Sequence, residues 1–261
     1  MTLAFEGPVI VGMTIVILIA GTTNGLAGFG FALVGTMALA TTINPATAVV
    51  FMIIPILAVN VSLVRDLSQE ELRSCSRRFG PLITAALIGT VIGMVILNRI
   101  PTAPLRVGLG LLTLGFVATA QQRISIPEWS TGGTGTFART QIGMLGVGGI
   151  SGLLFGGTNV GIQLVAYLRS FQLSHGLFVG VVALVFLGVN GIRVIVAGLL
   201  GLYPNWGILF VSIVAAVPAV IGVAVGKRLR VTASERSRRL VVLGLLTIVG
   251  IRLVSGGLGL I

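Results

Sequence analysis

The chain is a succession of apolar runs separated by short polar linkers. The runs fall at residues 8–20, 31–43, 44–64, 81–97, 104–122, 141–155, 159–168, 175–202, 204–226 and 240–261. Several approach the roughly 20 residues that an α-helix needs to cross a bilayer, so the pattern predicts an all-α polytopic membrane protein. Linkers 65–78 and 227–239 carry most of the charge, whereas 123–139 is rich in Gly, Thr and Ser. That middle linker divides the chain into two predicted membrane units, 1–122 and 140–261.

The two units repeat one another. Asn24-Gly25-Leu26-Ala27-Gly28-Phe29-Gly30 matches Ser151-Gly152-Leu153-Leu154-Phe155-Gly156-Gly157, and Val59-Asn60 matches Val189-Asn190. Val91-Ile92-Gly93 matches Val220-Ile221-Gly222, and Gly110-Leu111-Leu112-Thr113 matches Gly244-Leu245-Leu246-Thr247. Four matches in the same order, with offsets drifting only slowly, point to duplication. Each unit opens with an apolar run, a glycine-rich break and a second apolar run. The first arm, 8–20, would be about 20 Å long as a helix, short of the roughly 30 Å hydrocarbon core. Each opener is therefore either a kinked span or a re-entrant hairpin that enters and leaves on one side.

Composition sharpens the picture. Apolar residues make up 55% of the 261 and charged residues 9%, against roughly 25% charged in soluble domains, and the mean hydropathy is +1.11. A soluble enzyme, a disulfide scaffold and a disordered chain are excluded. The net charge of +11 reflects loop orientation, because cytoplasmic loops of membrane proteins collect Lys and Arg; no nucleic-acid partner is expected. If both openers cross fully, the 17 basic residues divide nine to eight. If both are re-entrant, Arg65, Arg73, Arg77, Arg78, Arg123, Arg139, Arg169, Lys227, Arg228, Arg230, Arg236, Arg238 and Arg239 share one side. Only Arg99, Arg106, Arg193 and Arg252 then fall on the other. The thirteen-to-four split favours the re-entrant arrangement. One hairpin plus three crossings per unit makes the two units inverted repeats, with both termini outside and the broken helices meeting near mid-depth, a recurring transporter plan. Glu6 and the lack of Lys or Arg before Gly7 argue against a cleaved signal peptide. Cys75 is the only cysteine, so neither an internal disulfide nor a thiolate metal site is expected.

Every acidic residue (Glu6, Asp66, Glu70, Glu71, Glu128, Glu235) lies outside the apolar runs. That removes the usual intramembrane proton relay or cation site and the acid–base pair an intramembrane hydrolase needs. With no HExxH, P-loop or His cluster, neither an enzyme, a metal nor a cofactor is expected. The breaks instead offer neutral donors: Thr22, Asn24, Gly28 and Gly30 in the first; Gly156, Gly157, Thr158, Asn159 and Gln163 in the second. Helix N-termini present free N–H groups and partial positive charge, and two facing one another make an anion site. The competing reading gives the glycines a packing role only. Asn60 and Asn190 occupy equivalent places and hydrogen-bond either a helix or a ligand. Arg193 either faces the bundle, where it attracts an anion, or snorkels to the interface. Tyr203 and Trp206 read as interfacial anchors.

Two glycine-rich apolar hairpins, each followed by an apolar span ending in Asn60 or Asn190, resemble the TauE/SafE sulfite exporter family over nearly the whole chain. The family repeat runs G-x-G-G-G, then apolar residues, then a Pro before a Leu. Here the first copy reads Gly28-Phe29-Gly30-Phe31-Ala32 without that Pro, and the second Phe155-Gly156-Gly157-Thr158-Asn159. The resemblance implies a multi-pass plasma-membrane permease for a small sulfur-containing anion such as sulfite, sulfoacetate or another organosulfonate. Cation-coupled uptake of a small anion or sulfur compound, and a non-transporting membrane scaffold, are the alternatives.

Overall fold

A computed structural model describes residues 7–27, 30–64, 68, 70, 73, 77–120, 140–169, 171, 173, 175–230 and 234–260. The described residues form helices and connecting turns, with no strand among them. In chain order the helices are α1 (Gly7–Ala27), α2 (Phe31–Ala40), α3 (Pro45–Phe51), α4 (Ile53–Val64), α5 (Gly80–Leu97) and α6 (Thr102–Ala120). The second unit contributes α7 (Gln141–Thr158), α8 (Ile162–Arg169), α9 (His175–Leu199), α10 (Trp206–Leu229) and α11 (Glu235–Gly257). Among the described residues four stretches are long and apolar enough to cross a membrane: 45–64, 80–97, 180–199 and 206–229. The linker 123–139 lies outside the described residues.

Polar caps set several helix starts. Asn44 Oδ1 accepts from the Ala46 and Thr47 N–H groups, with Pro45 in the first turn. Thr140 accepts from Gly143 N–H ahead of α7, and Asn205 from Ile208 N–H ahead of α10. Each satisfies N–H groups that have no intrahelical acceptor.

The openers are longer in their first arm than the sequence suggests. Residues 21–27 continue α1, making it 21 residues, or about 31 Å, instead of the 13 expected. Thr22 and Thr23 stay helical because each hydroxyl donates to the carbonyl four residues back, of Leu18 and Ile19. Glycine also serves packing there. A Cβ at Gly21 or Gly25 would overlap backbone of α10 at residues 219–227, and one at Gly222 or Gly226 would overlap α1. The α1–α10 seam is therefore a parallel, backbone-to-backbone contact. In the second unit α7 packs the same way on α5: Gly148 meets Leu82, Gly152 meets Ala86 and Gly156 meets Thr90. Each opener thus docks on the helix before last of the opposite unit.

Both openers fold back. Ala20 of α1 lies beside Gly35 of α2, and residues 41–44 then reach the start of α6, where Asn44 Nδ2 donates to Thr102 Oγ1 at 3.1 Å. The α7–α8 hairpin begins and ends beside the amino-terminal end of α5. Met144 joins the cluster containing Phe79 and Leu168, and the Phe171 ring packs edge-on against Phe79 at 5.2 Å. The packing pairs exchange between units: α4 with α10 mirrors α9 with α5, while α4–α9 and α6–α11 pair equivalent helices.

Candidate functional site

The two breaks converge on one cavity. It is lined by Asn24, Gly30, Phe31, Ala32 and Leu33 from the first opener and by Phe155, Asn159, Val160, Gly161 and Val165 from the second. Asn60 with Ile56, Val59 and Leu63 of α4, and Val182 with Phe186 of α9, complete the wall. About 60 Å³ is open to the centres of water-sized molecules. One water needs about 10–15 Å³ by that measure, so the space suits a few waters or an anion of a few heavy atoms.

At the first break Gly30 takes φ 105°, a left-handed turn that costs glycine nothing. Asn24 reaches across the turn, its Oδ1 accepting from Phe31 N–H at 3.2 Å. Ala32 and Leu33, also in the first turn of α2, where a helix leaves its N–H groups without intrahelical acceptors, both line the cavity. Gly28 lies outside the described residues. Thr22 is turned to Leu18 and does not line the cavity.

The second break is made by Asn159 itself. It is fully buried and takes φ 60°, a conformation that Asn tolerates better than most residues. Its Nδ2 donates to Thr36 Oγ1 at 2.7 Å and to the Val49 carbonyl at 3.0 Å, tying the second hairpin to α2 and α3 of the first unit. Its Oδ1 is buried with no donor. Thr158 bonds the Leu154 carbonyl and accepts from Val160 N–H, holding the turn. Gly156 and Gly157 pack on α5 and line no part of the cavity. Gln163 sits in the first turn of α8 with Oε1 buried and unpaired, outside the cavity wall.

Asn60 and Asn190 are equivalent in detail. Each donates Nδ2 to the carbonyl four residues back, of Ile56 and Phe186. Asn60 faces the cavity, whereas Asn190 accepts at Oδ1 from Arg193 Nη1 at 3.1 Å. Arg193 is wholly buried, so it is no interfacial anchor. Its guanidinium lies 5.0 Å from the Phe155 ring centroid. The cavity and the Arg193 cluster thus share Phe155 and Phe186 but not their polar groups.

The family model for the sulfite exporter TauE/SafE matches residues 13–253. The chain belongs to the TauE/SafE family. No curated protein and no solved structure shows significant similarity to it. Members of the TauE/SafE family are transporters rather than enzymes, and this chain's apolar helices make it a multi-pass membrane protein of that kind. Sequence alone missed Thr36, a lone hydroxyl in an apolar run, and the aromatic walls Phe31, Phe155 and Phe186. It also missed Ala32, Leu33, Val160 and Gly161, which look like packing residues until the breaks are located.

Proposed function

We propose that this TauE/SafE protein exports a small sulfur-containing anion, such as sulfite or a short organosulfonate, by alternating access. The observation that carries this reading is the shared cavity. Both helix breaks contribute to it, it holds Asn24, Asn60 and Asn159, and the first turn of α2 borders it. Neutral donors and helix N-termini favour a negative guest, and no acidic residue of the sequence lies in an apolar run to repel one or to couple a cation.

The units are read as inverted repeats whose hairpins dip in from opposite faces. In support, the α7–α8 hairpin starts and ends at the amino-terminal end of α5, while α2 runs out to Asn44 and Thr102 just beyond that helix's carboxyl end. With the thirteen-charge face inside the cell, both termini lie outside the plasma membrane, and the basic face concentrates anions at the inner mouth. An inside-negative potential then drives efflux by about 2.3 kcal/mol per charge per 100 mV. Rocking of one unit against the other requires the Asn159–Thr36–Val49 bonds to break and re-form.

Sulfite efflux from proteoliposomes tests the reading. Wild-type flux is expected to rise when the potential is negative on the side of the basic loops. Asn60→Ala, which removes a cavity amide bonded only within its own helix, should lower flux about tenfold, the worth of roughly one hydrogen bond to a charged group. Its melting temperature should stay near wild type. Flux that ignores both the potential and Asn60→Ala refutes the proposal.

A further inference from the structure

We propose that Arg193, with Asn190 and Tyr203, forms a second anion station beyond the cavity, where an oxyanion docks on the Nε edge of the guanidinium. This rests on the transport reading above and extends it to the path the anion takes.

Arg193 heads the largest wholly buried side chains among the described residues. Two of its nitrogens are engaged: Nη1 with Asn190 Oδ1 at 3.1 Å, and Nη2 with the Gly156 carbonyl at a long 3.5 Å. Nε is buried without any acceptor, and so is the Tyr203 hydroxyl. No carboxylate contacts the cation among the described residues, and all six acids of the sequence lie outside the apolar runs. A guanidinium buried at membrane depth calls for a counter-charge. Anchoring the carboxyl end of α7 accounts for the Gly156 contact, but it leaves Nε and the Tyr203 hydroxyl idle.

The chemistry of the idle groups names the guest. Nε and Nη2 form one edge of the guanidinium; Nε is unpartnered and Nη2 carries a second N–H beside the one on the long Gly156 contact, so the edge offers two N–H donors to two oxygens of one oxyanion. Tyr203, in the loop after α9, supplies a third donor. Burial pushes its phenol up to about 12, against the opposing pull of Arg193, so it keeps its proton at physiological pH.

Position places the cluster on an exit route. Asn190 and Arg193 follow cavity-lining Phe186 by one and two turns of α9, towards the loop that holds Tyr203. Phe155 lines the cavity and also stacks with the guanidinium. An anion released past Asn159 would therefore meet Arg193 next. By the 130-residue offset the first unit carries Leu63 in that place, so the station exists at one end only.

Titration of the purified full chain with sulfite and with sulfate, alongside proteoliposome flux, tests the site. Tyr203→Phe keeps the ring and removes only the hydroxyl. It should melt as wild type without anion and raise the anion Kd about three- to tenfold. Arg193→Gln should raise Kd more than about tenfold, and Arg193→Lys should lie between. Unchanged Kd and flux in Tyr203→Phe and Arg193→Lys overturn the station; if the Arg193 variants do not fold, Tyr203→Phe decides alone. Should wild type neither bind nor move any oxyanion, the transport reading fails and the station with it. A wild type that responds, with Asn60→Ala impaired and Tyr203→Phe unaffected, sinks the station and spares the cavity.

Discussion

The two helix breaks solve one geometric problem with the same residue type used differently. At the first, the left-handed position is Gly30, and Asn24 stands a turn away as a local cap on α2. At the second, Asn159 occupies the left-handed position and spends its amide on Thr36 and Val49, across the boundary between units. The two breaks thus share a left-handed turn while their polar groups serve different partners. The first break is held from within, and the second is held by Thr158 locally and by Asn159 across to the other unit.

The largest effects should fall where the halves are alike. Gly25 and Gly152 are equivalent by the 127-residue offset, and a Cβ at either would overlap a carbonyl oxygen of the docked helix, Val223 or Ala86. Gly25→Ala and Gly152→Ala should each destabilise by about 3 kcal/mol or more, read as lost thermal stability in detergent. Gly146→Ala, which has open space around it, should be neutral or stabilising by up to about 1 kcal/mol. Tolerance at one seam and not the other would break the equivalence of the two openers.

A middle-sized effect separates the breaks. Asn159→Gly keeps the left-handed turn and removes both cross-unit bonds, so it should cost about 2–3 kcal/mol. Asn24→Ala removes one cap and should cost about 1 kcal/mol. Melting curves that rank them in the opposite order would show that the local Thr158 bonds, not the cross-unit ones, hold the second break.

Much of this was legible beforehand. The family follows from the residues, and Asn60 and Asn190, matched in sequence, make the same local bond, because apolar runs and repeated glycines are visible in sequence. Where the breaks fall did not. Thr22, Thr23, Gly25, Gly156 and Gly157 read as interruptions, yet in an apolar surrounding threonine hydroxyls satisfy themselves on their own helix, and glycines let helices touch. The sequence pattern also could not rank Asn24 against Asn159, since the partners of Asn159 lie over 100 residues away. Arg193 stood out as a charge in an apolar run; only its burial separates a residue inside the bundle from an interfacial anchor.

A last predicted effect concerns a place where the halves differ by one proline. Residues 45–64 are interrupted at Met52, between α3 and α4, whereas the equivalent stretch of α9 is unbroken. Pro55 has no N–H to give the Phe51 carbonyl four residues back, and by the 130-residue offset its counterpart is Val185. The orphaned carbonyl is met from outside: Ser212 Oγ of α10 donates to it at 2.6 Å, and Ser212 is fully buried. Ser212→Ala should then cost about 1–2 kcal/mol, the penalty of a buried unsatisfied acceptor. In a Pro55→Val background the backbone N–H of residue 55 can take the Phe51 carbonyl as Val185 does its own, and the same serine change should cost under about 0.5 kcal/mol. A double-mutant cycle measured by thermal unfolding reads that coupling directly. Equal costs in both backgrounds would mean that the proline is not why the first unit enlists α10, and the contrast between α3–α4 and α9 would need another cause.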